Sequence, residues 1–163
     1  MKKYFLNLCA FDHWANSALL AALASAAPLP ARAQAVFSHL LATTQVWHAR
    51  LVGQQVLVPV WPEWEPAVWP AELTANAARM ESYLHGLAED DFDRMVRYAN
   101  TKGVKFETSV SDILTHLLTH ASYHQGQVVA MLKGSVAPLP DIIYISYVRE
   151  LATRHGQAYI PLS

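Results

Sequence analysis

Thiols, glycine and excess positive charge are all scarce in this sequence, and each scarcity excludes something. A single cysteine, Cys9, cannot close an internal disulfide or build a thiolate cluster, so any metal site has to draw on histidine and carboxylates. Lone-cysteine usage also suits a reducing compartment. With only 6 glycines the chain carries no glycine-rich nucleotide loop, and GxSxG and CxxC are missing as well. A formal net charge of −1 gives no basic footprint for phosphate backbones, which argues against nucleic acid as a partner. No stretch approaches the roughly 20 apolar residues of a membrane span. The opening MKKYFLNLCAF imitates a short signal peptide, but Asp12 and His13 interrupt its apolar run and a bulky leucine precedes Cys9. A cytoplasmic protein without membrane attachment is the expectation.

What is present is apolar residue in abundance. At 163 residues and 53% hydrophobic content the chain suits one compact domain, 1–163, able to bury a sizeable core. From Lys3 to about Ala24 alanine and leucine dominate without an internal breaker, which predicts a first helix. Pro30 fits the first turn of a second helix running to about Leu51, with Gly53 as its stop. VLVPVWPEWEPAVWP then carries four prolines and three tryptophans, so it reads as a loop covering a core or an interface. Pro70 and Glu72 open a third helix to about Gly86, and the stretches flanking ANTKG predict a small hairpin. Ser109 with Asp112 resembles a capping pair for a fourth helix that reaches about Lys133. A proline loop and a short helix from near Asp141 follow. Four long helices, one short one and a hairpin predict an all-α four-helix bundle with a small β-hairpin and a short C-terminal helix.

The fourth helix holds the unusual feature, HLLTHASYHQGQ, with His116, His120 and His124 four residues apart. Positions four apart on a helix differ by only about 40°, so the three form one slowly drifting stripe. Ile113, Leu117, Val128 and Met131 mark the apolar face, whose mean direction falls between His120 and His124 and leaves His116 at the rim. Two core-facing imidazoles need partners, because an unpaired buried polar nitrogen costs on the order of 1–3 kcal/mol. Hydrogen bonds to a neighbouring helix would satisfy them. So would one divalent ion, since the i, i+4 spacing can chelate as an HExxH helix does, although the base glutamate of that motif is missing. The third ligand has to come from elsewhere, and the second helix offers His39 or His48. Nine residues apart, they face nearly opposite ways, and both adjoin apolar stripes, so periodicity leaves the choice open. His13, His85 and His155 sit beside polar or terminal residues and read as solvated. The Glu-x-x-His pairs of di-iron bundles are missing.

Three separated motifs resemble one known group, the DinB family of bacterial metalloprotein-like bundles. FDHWANSALLAAL is similar to the family's aromatic Trp-Ala-Asn segment. HLLATTQVW matches its histidine followed eight residues later by tryptophan, and HLLTHASYHQGQ matches its signature HxxxHxxxHRGQ. DIIYISYVRE resembles the closing aspartate-plus-aromatic stretch. The resemblance runs from about Tyr4 to Arg149. It implies an up-up-down-down four-helix bundle, commonly a homodimer, with one divalent ion held by His39, His120 and His124, leaving His116 and His48 aside. Nickel, zinc and iron are the metals it implies. Two positions depart from the pattern: Gln125 replaces the usual arginine, and Thr44 replaces an acidic residue found in many members. Those departures bear on the surroundings of the site and on its substrate.

An open site of three histidines suits a metal-dependent enzyme of the thiol S-transferase or hydrolase type. Relatives with such activity use bacillithiol, mycothiol or glutathione, so the resemblance implies a small-molecule substrate, including a low-molecular-weight thiol. The alternative is a non-catalytic metal-binding or stress-response bundle whose ion is structural, or which has none.

Overall fold

The computed structural model describes residues 1–154, so His155 lies outside the described residues. Among these the chain is mostly helical, with five helices and a two-stranded antiparallel hairpin. The helices are α1 (Lys2–Ser25), α2 (Ala31–Leu51), α3 (Trp69–Gly86), α4 (Val110–Met131) and α5 (Tyr144–Arg154). Strands β1 (Met95–Ala99) and β2 (Lys105–Ser109) form the hairpin in the expected stretch. None of these helices is long and apolar enough to cross a membrane.

Local chemistry accounts for the boundaries. Pro30 caps α2 from just outside rather than within its first turn, and Gly53 beyond its end adopts φ +69°, a conformation other residues resist. Pro70 lies in the first turn of α3, where its missing N–H is no loss. In the hairpin turn the Asn100 side chain accepts from the N–H groups of Lys102 (2.9 Å) and Val104 (3.0 Å). Ser109 caps α4 as its spacing predicts, its Oγ accepting the Asp112 N–H at 3.1 Å. Helix α5 starts three residues after Asp141, whose carboxylate instead organises the entry by accepting from the Ile143 N–H and the Ser146 hydroxyl.

Helix α1 packs on α3 and α4, while α2 packs on the same two partners. One core cluster joins Leu19 and Leu23 to Phe37, Trp69, Val128 and Leu132; a second joins Phe5 to Leu84, Phe92, Val110 and Leu114. Those pairings place the start of α1 beside the start of α4, so these helices run parallel. The Met1 ammonium pairs with Glu89, and Lys2 Nζ donates to the His85 carbonyl at 3.1 Å, so α3 runs the other way. Trp69 donates to Ser38 Oγ (3.0 Å) and Asn76 to the Leu41 carbonyl (2.8 Å), which makes α2 parallel to α3.

The helix directions are therefore up, down, down, up, and the up-up-down-down order expected from resemblance is wrong for this chain. Loop reach explains it. Residues 26–30 span at most about 17 Å, roughly half of the 31 Å that a helix the length of α2 covers, so α2 must start near the end of α1 and run back in the opposite direction. The long proline loop 52–68 instead carries the chain along the molecule to start α3 at the far end. On its way it passes over α2, which is why that helix is buried on almost every side.

Candidate metal centre

The antiparallel pairing of α2 with α4 brings His39 against the α4 histidine stripe. Ring centroids of His120 and His124 lie 4.4 Å apart, and His39 stands 5.0 Å from the first and 4.8 Å from the second. One nitrogen from each ring lies within 4.8 Å of the other two, with 3.2 Å between the Nε2 atoms of His39 and His120. Ligand nitrogens at about 2.0–2.1 Å from one ion stand roughly 3.3 Å apart in a tetrahedral site and 2.9 Å in an octahedral one. The 3.2 Å pair already has that spacing, while nitrogens as far as 4.8 Å apart must draw together to share one ion; the imidazole donor set suits a borderline divalent cation.

The surroundings orient two of the rings. His39 Nδ1 lies 2.7 Å from the Val60 carbonyl, and His124 Nδ1 lies 2.8 Å from Gln127 Oε1. Each acceptor fixes the proton on Nδ1 and leaves Nε2 as the ring's lone-pair nitrogen, which for His39 faces His120 Nε2. His120 has no such partner: its Nδ1 is buried without a hydrogen bond. Trp61 lies flat on His39, with centroids 3.8 Å apart and an interplanar angle of 7°. Val60 and Trp61 belong to the proline loop, so the loop both aims and covers the α2 histidine.

The other described histidines stand outside this group of three, although the His116 ring centroid lies 5.5 Å from that of His120. His116 packs edge-on against Trp47 at 5.1 Å, and His48 faces Tyr83 at 6.2 Å on the α3 side. His85 is exposed beside Glu81, as expected of a solvated residue. His13 is not solvated: it is partly buried where α1 meets α3, and its Nδ1 is enclosed without a partner. Burial, and then the Asp12 charge, push the Cys9 thiol up to about 12, which removes it as a thiolate ligand or nucleophile.

Both departures from the signature pattern lie away from the histidine cluster. Gln125 is 1% exposed and points to α1, donating from Nε2 to Asp12 Oδ1 at 2.7 Å and to Asn16 Oδ1 at 3.1 Å. Thr44, with Asp12, Asn16 and Asn76, lines a small internal cavity of about 30 Å³. Neither touches a ring of the cluster. Sequence reasoning missed Gln127, whose i, i+3 spacing from His124 was the available signal. It also missed Val60 and Trp61, which no periodic pattern could have placed.

The cluster's electrostatics make a pH prediction. Burial, and then the neighbouring imidazoles, push His120 down to about 4; burial also lowers His39, against the opposing pull of the Val60 carbonyl. In the unfolded chain these rings protonate near the ordinary histidine value of about 6.5. Their stabilising contribution is thus full above that pH and is lost as pH falls from about 6.5 toward 4. Chelator-treated protein is expected to lose melting temperature over that window, and His120→Ala to lose less. An unchanged acid slope in the variant would contradict the assignment.

A helical protein with three converging imidazoles between antiparallel helices defines a class of metal-site candidates. A family model, the DinB superfamily, matches residues 19–128, a span that includes His39, His120 and His124. The chain belongs to the DinB superfamily. No curated protein and no solved structure matches it.

Proposed function

We propose that this DinB protein holds one divalent ion on His39, His120 and His124 and uses it as a metal-dependent enzyme of the thiol S-transferase or hydrolase type. The observation that carries the reading is the convergence of one nitrogen from each ring, with Nδ1 of His39 and of His124 engaged by Val60 and Gln127. Two rings held by outside acceptors, and a third whose Nε2 stands 3.2 Å from that of His39, offer a set of neutral ligands. When bound, a divalent ion there supplies Lewis acidity toward a coordinated water or thiol. The chain's own contribution is to hold the rings, and to shield one side of them with Trp61. The proposal extends to a closed four-helix bundle, a homodimer, a cytoplasmic location and a small-molecule substrate, with nickel, zinc or iron as the metal.

A second reading rests on the same 3.2 Å contact, which also suits a single imidazole–imidazole hydrogen bond. In that case the protein is a non-catalytic bundle with a structural ion or none. Elemental analysis of protein purified without a metal-affinity tag tests for the ion itself, with about one per chain expected and none leaving only the metal-free bundle. Electrophile consumption should then be screened across several low-molecular-weight thiols, with and without chelator. Turnover that chelator abolishes supports the enzyme; stoichiometric metal with no chelator-sensitive turnover supports the structural ion.

A further inference from the structure

Three neutral imidazoles bring no negative charge to a divalent cation. Arg32 lies seven residues before His39, so about 700° of helical rotation returns it to nearly the same face of α2, roughly 10 Å along the axis. Its guanidinium stands over Trp61, with Cζ 5.3 Å from the ring centroid, while Trp61 itself stacks on His39. His39, Trp61 and Arg32 thus make one continuous wall that leads outward from the cluster. Trp61 is 47% exposed, Arg32 is exposed, and among the described residues no carboxylate pairs with Arg32. A permanently charged, planar donor fork left without a partner beside a cationic centre is arranged to receive an anion.

We infer that the centre takes an anionic ligand, one end bound at the three-histidine ion and a carboxylate or similar anionic group held by Arg32 alongside Trp61. The inference rests on the metal reading proposed above. It makes Arg32 a specificity-determining residue: neutral ligands with the same metal-binding atom lose only the Arg32 contact. The stacking on Trp61 pre-orders the guanidinium, so less freedom is lost when the anion arrives.

The test uses cobalt-loaded full-length protein and a matched pair of probes, mercaptohexanoate and mercaptohexanol, which differ in the distal group. Cobalt stoichiometry is measured first, and binding is then followed by the cobalt–thiolate charge-transfer absorption. Wild type is expected to prefer the carboxylate probe by about fivefold, the scale of one solvent-accessible ion pair. Arg32→Gln should bring that ratio to one without changing affinity for the alcohol, and Arg32→Lys should keep part of it. Full cobalt loading with equal affinities in wild type, or an unchanged preference in Arg32→Gln, overturns the Arg32 assignment alone. Failure to take up cobalt overturns the metal reading and this inference with it.

Discussion

Replacing His120 with alanine is expected to weaken divalent-metal binding by about two to three orders of magnitude. Structural zinc in a four-ligand protein site is worth about 10–16 kcal/mol, so each ligand supplies roughly 3–4 kcal/mol. The remaining pair, His39 and His124, come from different helices and lack the i, i+4 chelate that α4 provides. His116→Ala is the control, since that ring packs on Trp47 beyond the cluster, and its affinity should stay near wild type. Titration with zinc or nickel against a competing chromophoric chelator measures both. Equal affinities for wild type and His120→Ala would remove the site. Because His120 Nδ1 is buried without a partner, the substitution also deletes an unsatisfied polar atom, so the metal-free variant should not be less stable merely for losing it.

The role proposed for His120 has a signal in the helix itself, but its partner across the helices does not. Periodicity works best where one face is dry and the other wet, as on α4, yet there the buried face centres on Leu117, Ala121 and Val128, with His120 and His124 half-buried at its edge rather than at its centre and His116 exposed beyond them. On α2 it fails, because α3, α4 and the proline loop bury nearly the whole circumference, so the stripes beside His39 and His48 look alike. Only resemblance pointed to His39, and the structure places that ring with His120 and His124. Helix existence and caps followed from local chemistry, as Ser109 and Gly53 illustrate. Helix direction depends on how far each connection can reach. The short link 26–30 carried that information in the sequence, and the expected up-up-down-down order ignored it. His13 was misread because its polar neighbours suggested solvent, whereas Asp12 and Asn16 themselves face the interior. The partnership of Gln125 with Asp12 spans 113 positions and has no local signature.

That same partnership leads to the second large effect. Asp12 keeps some exposure as a residue, but its carboxyl group is enclosed between α1 and α4, accepting from Gln125 and Asn16 (3.1 Å). Burial raises it to about 6, and those two neutral amide donors offset only part of the penalty. The arginine implied by the DinB signature would supply a full positive charge here, and the cavity beside Asp12 is also where Thr44 stands in place of an acidic residue. With its folded value above the unfolded value of about 3.9, Asp12 contributes most below that pH, and the contribution is lost as pH rises through about 6. A shift of about two units corresponds to roughly 3 kcal/mol. Asp12→Asn cannot ionise, so its stability relative to wild type is expected to rise by about that amount between pH 4 and pH 8. Urea unfolding of both proteins across that range measures the difference. Gln125→Arg should hold Asp12 ionised and flatten the wild-type loss above pH 6, since the added guanidinium favours the charged form. A difference between Asp12→Asn and wild type that stays constant from pH 4 to pH 8 would show that the carboxyl is not displaced from its ordinary range.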